Sequence, residues 1–162
     1  MAAEMTVTES QLVGKKQNPL TCEDDVIVTD AFVAVVDGAT SQVQSSHTSP
    51  GLKAVNRVRQ TLEGMPGSID SIECFERLDA SIAGIYSEEG IYEKAKQYPE
   101  YRSSAAGIIY SRFRSEIWLI GDCQGLIDET VVADWKGVDS LLSDVRAMYL
   151  ESEILKGKSI DE

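Results

Sequence analysis

The residues best placed to do chemistry in this chain are carboxylates at the ends of apolar runs. Glu23-Asp24-Asp25 stands just before Val26-Ile27-Val28. Asp37-Gly38 closes the run Ala31-Phe32-Val33-Ala34-Val35-Val36, and Gly121-Asp122 closes Glu116-Ile117-Trp118-Leu119-Ile120. A carboxylate at the end of a buried strand needs a partner, because an unpaired buried charge is costly. Few Lys or Arg residues neighbour these positions in sequence. Hard divalent cations are the natural alternative, since Mg²⁺ and Mn²⁺ favour carboxylate, carbonyl and water oxygens. Gly38 adds a backbone carbonyl that no side chain obstructs. On pattern alone, Asp-Gly and Gly-Asp also read as ordinary turns.

Other reactive groups are scarce. Cys22, Cys74 and Cys123 are far apart and form no CxxC pair, so they read as structural thiols. The single histidine, His47, lies in the polar stretch QSSHTSP and reads as a solvated loop residue. A His-rich metal site is therefore excluded, and any catalytic triad would have to pass through His47.

The 27 acidic and 15 basic residues leave a formal charge of −12. That balance argues against non-specific nucleic-acid binding, which needs clustered Lys and Arg. It suits a soluble cytoplasmic protein, or one that concentrates divalent cations. No apolar run approaches the roughly 18 residues of a membrane span. The start, MAAEMTVTESQ, carries no secretory signal pattern. At 162 residues the chain has the length of a single domain.

The elements that must position these carboxylates follow from periodicity. Val26-Ile27-Val28 predicts a short strand. The run from Ala31 to Val36 predicts a strand at a sheet centre, buried on both faces. Ser49 as cap and Pro50 in the first turn predict a helix with Leu52, Val55, Val58 and Leu62 inward, ended by Gly64 and Pro66. A second helix starts near Ser68 or Asp70, with Ile72, Phe75, Leu78, Ile82 and Ile85 on one stripe. Residues 87–102 read as a surface loop or short helix. Strands follow over 104–110 and 116–120, with a hairpin turn at Phe113-Arg114-Ser115, and then over 125–132. A last helix spans 139–155, with Val138, Leu141, Leu142, Val145, Met148 and Tyr149 inward. This order predicts an α+β fold with antiparallel sheet packed against helices. Ser159-Ile160-Asp161-Glu162 has the form of a capping box, which reads either as a cap in a natural chain that continues or as a chance pattern in a frayed polar tail.

Taken together, these segments resemble metal-dependent serine/threonine protein phosphatases of the 2C family. Glu23-Asp24, then thirteen residues from Asp24 to Asp37, then Phe32-Val33-Ala34-Val35-Val36-Asp37-Gly38, is similar to that family's opening. Trp118-Leu119-Ile120-Gly121-Asp122-Cys123 is similar to its later strand ending in Gly-Asp-Ser. Ser103-Ser104-Ala105-Ala106 stands where the family has Gly-Thr-Thr. The resemblance implies a four-layer αββα architecture, an antiparallel β-sandwich flanked by helices. It also implies hydrolysis of phosphoserine and phosphothreonine in a phosphoprotein substrate by water held on two Mn²⁺ or Mg²⁺ ions. By resemblance Asp37 bridges the metals, Gly38 offers its carbonyl, Glu23 holds one metal, and Asp24 acts beside them. Asp122 corresponds to an aspartate on a further metal in bacterial members.

The departures are specific. Ala39 stands where eukaryotic members carry a proposed general-acid His. Asn18-Pro19-Leu20-Thr21 stands where an Arg often meets substrate phosphate, leaving Lys15 and Lys16 as weak substitutes. Two later metal-binding aspartates, in Ser-Asp-Gly and Asp-Asn segments, have no counterpart after Asp122. The expectation is a phosphatase-like chain that fills the sandwich only in part and is weakly active or inactive alone. The alternatives are a non-catalytic phosphatase-like interaction module, and an unrelated α+β domain. Open sheet edges would favour a dimer.

Overall fold

The computed structural model of the protein describes residues 6–13, 22–39, 49–133 and 137–156. Strands β1 (Asp24–Val28) and β2 (Phe32–Gly38) form a hairpin, followed by helices α1 (Pro50–Glu63), α2 (Ser71–Glu88) and α3 (Tyr92–Gln97). A 3₁₀ turn (Pro99–Tyr101) leads into β3 (Ala105–Ser111) and β4 (Glu116–Ile120). A second hairpin, β5 (Gln124–Ile127) and β6 (Thr130–Ala133), precedes helix α4 (Gly137–Leu155). The fold is thus α+β: a four-stranded antiparallel sheet in the order β1-β2-β3-β4, a separate two-stranded sheet, and helices.

Local chemistry explains the boundaries. Thr29 Oγ1 accepts the amide protons of Ala31 and Phe32, closing the β1–β2 turn. Ser49 Oγ accepts from the Leu52 amide and Pro50 opens α1. Asp70 does the same for α2 through the Glu73 amide.

Side chains alternate across the sheet with period two. Ile27, Phe32, Ala34, Val36, Ile109 and Trp118 are buried on the side that faces the helices. Helix α1 lies on that side and adds Val55, Val58 and Leu62, while α2 packs on α1 with Cys74 and Leu78. Phe32 and Trp118 meet at the centre, ring centroids 6.0 Å apart. Arg59 of α1 reaches down to Asp25 with two guanidinium nitrogens on its carboxylate, and this ion pair ties the helix to the edge strand.

Four expectations need correction. β2 is not buried on both faces: Val35 is 57% exposed, because among the described residues helices pack on the other side of the sheet. Residues 125–132 are not one strand but a hairpin, turning at Asp128 and Glu129, both at positive φ. Ile72 is exposed at the first turn of α2 instead of lying on its buried stripe. In α4, Val145, Met148 and Tyr149 are exposed and do not face a core. Residues 87–102, expected to be a loop or short helix, comprise the end of α2, α3 and the 3₁₀ turn. His47, Lys15, Lys16 and the segment 159–162 lie outside the described residues. Among the described residues no helix is long and apolar enough to cross a membrane.

Candidate functional site

The hairpin register puts Asp24 directly opposite Asp37. Cross-strand partners share a face, and these two alternate with helix-facing neighbours, so both lie on the side of the sheet away from α1. Like charges placed opposite each other on a sheet repel, and a cation between them would relieve that repulsion. Cys22 offers its thiol to Asp24 Oδ2 at 3.8 Å.

The second approach to this point comes from the β4 end. Gly121 takes φ +79°, a left-handed conformation that suits glycine, and a side chain there would meet Ala106 Cβ at 2.9 Å. Ala106 is itself the β3 partner of Asp37. The turn at Gly121 therefore brings Asp122 and Cys123 back towards Asp37. Asp37, Asp122 and Cys123 line one end of a groove of about 600 Å³ between the open face of the sheet and the β5–β6 hairpin. Partial burial raises the Cys123 thiol pKa, and the negative charges of Asp122 and Asp37 raise it further. The thiol thus feels the charge of its sequence neighbour Asp122 and of Asp37, which is remote in sequence.

Gly38 is fixed by close approach. A Cβ there would stand 2.6 Å from the Gly51 carbonyl oxygen and 2.8 Å from that of Glu23. The Gly38 amide donates to Glu23 O, and the Ala39 amide to Ser104 O. The end of β2 is thereby clamped between the chain before β1, the start of α1 and the start of β3.

The sequence-predicted residues divide into two groups. Asp37 meets Asp24 across the hairpin and shares a groove with Asp122, both on the open side of the sheet. Glu23 does not join them: its Oε1 lies 3.0 Å from the Cβ position of Gly51, against the first turn of α1, where a carboxylate complements the helix dipole. Asp25, in the same acidic triplet, is held by Arg59. Among the described residues no three carboxylate, thiol or imidazole groups converge closely enough to hold a metal ion. Nothing local in the sequence marks Ala106 or Cys123 as a site residue, because their part depends on the β2–β3 register and the Gly121 turn.

No protein-family profile, curated protein or solved structure matches this chain.

The Cys123 thiol makes a usable reporter, because Cys22 and Cys74 are buried. Burial pushes the Cys74 thiol up to about 11, which keeps its thiolate scarce as well. The thiolate is the reactive form, so alkylation of Cys123 is expected to be slow at neutral pH and to accelerate as pH rises. Asp122→Asn or Asp37→Asn removes a nearby negative charge and lowers the thiol pKa. Either variant is expected to speed iodoacetamide modification at pH 8 by about two- to fivefold. Unchanged rates in both would mean that the carboxylates stand too far from the thiol to act as a group.

Proposed function

We propose that this chain is a cytoplasmic, metal-dependent phosphatase-like protein of the 2C family, directed at phosphoserine and phosphothreonine in proteins. The observation that carries the reading is the meeting of Asp37 and Asp122 around Cys123, at the end of the sheet where the Asp-Gly and Gly-Asp motifs stop their strands. The Asp24–Asp37 register supports it, and so does the clamp on Gly38. The order of strands and helices agrees with one sheet and one helical layer of an αββα sandwich.

The implied pair of Mn²⁺ or Mg²⁺ ions fits these residues only in part. Glu23 faces α1, and no three donors converge among the described residues. Asp37, with Asp24 or Asp122, offers what a single hydrated Mg²⁺ ordinarily takes from a protein, one or two carboxylates and its own waters. A two-metal centre needs more ligands than this. The expected consequence is weak cation binding and little or no turnover.

The test is Mn²⁺-dependent hydrolysis of a phosphothreonine peptide, with Asp37→Ala beside the parent chain. Turnover is expected to be very low, and any that is seen should require Mn²⁺ and vanish in Asp37→Ala. Turnover that survives chelation or the substitution contradicts the assignment. A second reading, a non-catalytic phosphatase-like interaction module, is favoured by the exposed apolar face around Val35 and Ile117. Such a face is the kind of surface that partners cover.

A further inference from the structure

A second cavity lies on the helix side of the sheet, away from the carboxylates. Its volume is about 460 Å³, within the usual range for small-molecule sites. One wall is a single stripe of α2, with Phe75, Leu78, Ile82 and Ala83; the facing wall includes Ile109 of β3 and Ile120 of β4. Helix α1 lies over the first strands of the sheet and α2 packs on α1, with Leu78 of α2 in the same core as Ile109 and Trp118, and the cavity lies between α2 and β3–β4.

Polar contacts hold α2 in place. The Tyr86 hydroxyl accepts the Ser103 amide proton and donates to the Ser103 carbonyl, both at 3.0 Å. Thr61 Oγ1 donates to Ser81 Oγ at 2.8 Å, and Arg57 grips Glu88 with two nitrogens. These bonds fix α2 against α1 and against the chain just before β3. Small residues opposite, Ala105, Ala106 and Gly107, widen the cavity.

The rim is polar and carries both signs of charge. Arg102 and Asp79 line the same cavity as Tyr86. Arg102 is fixed in place by donating from Nε to Ala95 O and from Nη2 to Lys96 O. An anionic head would gain Arg102 but oppose Asp79, and a cationic head the reverse. A neutral amide can accept from one and donate to the other.

From this arrangement we infer that the cavity between α2 and β3–β4 is a binding site for a small apolar molecule with a neutral amide head at Arg102 and Asp79. The probe is octanamide, followed by NMR of the full chain, with octanoate and octylamine as comparators. Octanamide is expected to bind with Kd below about 1 mM, shifting amides of Phe75, Ile82 and 104–107. Its NOEs should reach Ile82, Ile109 and Ile120 methyls, and both charged analogues should bind at least threefold more weakly. Ala83→Trp, which fills the cavity, is expected to weaken binding at least tenfold. If that variant does not fold, the NOEs in the parent chain decide. Three results would overturn the inference. One is no binding. Another is NOEs to the exposed Met148 and Leu155 of α4 instead. The last is the same amides shifting with protein concentration alone, which would mark a second copy as the occupant.

Discussion

Phe32→Ala is expected to lower the unfolding free energy by about 3–5 kcal/mol, the usual cost of deleting a fully buried aromatic side chain. Phe32 is completely buried and packs on Trp118 at the centre of the helix-facing side. Its loss removes apolar contact area and leaves a cavity that α1 and β4 cannot both move to fill. Urea unfolding followed by tryptophan fluorescence measures it. Three residues along the same strand, Val35→Ala is expected to cost less than about 1 kcal/mol, because Val35 is 57% exposed on the open face. The contrast is the informative part. Equal costs at the two positions would mean that the open face is covered in solution, as a sandwich or a dimer would cover it.

The second large effect is expected at Gly38. In Gly38→Val the new side chain would run into the backbone of Gly51 and Glu23, each closer than 3 Å to its Cβ. Neither contact is with a flexible side chain, so α1 or the end of β2 must move. Overpacking of this kind costs about 1–3 kcal/mol and sometimes more. The displacement falls on the strand end that holds Asp37. Gly38→Val is therefore expected to lose cation binding as well as stability, whereas Phe32→Ala, if it still folds, loses stability alone. Gly64→Ala, a control at the end of α1 where nothing lies closer than 3.7 Å to the Cβ position, is expected to change neither by much.

The sequence made the elements legible wherever a local signal marked them. Ser49-Pro50 and Asp70 started helices as capping chemistry requires, and Glu116–Ile120 is a strand with the bounds that its apolar run predicts. The Phe113-Arg114-Ser115 turn is likewise where expected, with Ser115 at positive φ. The misses have physical causes. Asp128-Glu129 turns the β5–β6 hairpin without the glycine that normally announces such a turn. The run from Ala31 to Val36 looked buried on both sides because apolar content reports what a strand can bury, and not which layers are present to bury it. The same holds for Val145, Met148 and Tyr149 in α4. Their spacing makes an apolar stripe, but within the described residues nothing is packed on it.

The candidate site divides in the same way. Asp37 and Asp122 were identifiable as strand-end carboxylates, and the fold brings them to one groove. Glu23 and Asp25 look equivalent to Asp24 in the acidic triplet. Strand alternation separates them, sending Asp24 to the open side while Glu23 meets α1 and Asp25 meets Arg59. A run of three carboxylates cannot reveal which of them is already committed to structure.

The proposed cation site is the sheet end where Asp37 stands opposite Asp24 and shares its groove with Asp122. Substoichiometric Mn²⁺ added to the isotopically labelled chain tests it most directly, because the ion broadens the NMR signals of nearby amides. The expected result is selective broadening at Asp24, Asp37, Asp122 and Cys123, reversed by excess Mg²⁺ and absent in Asp37→Ala. Broadening spread evenly over the exposed carboxylates, or persisting in Asp37→Ala, would contradict it.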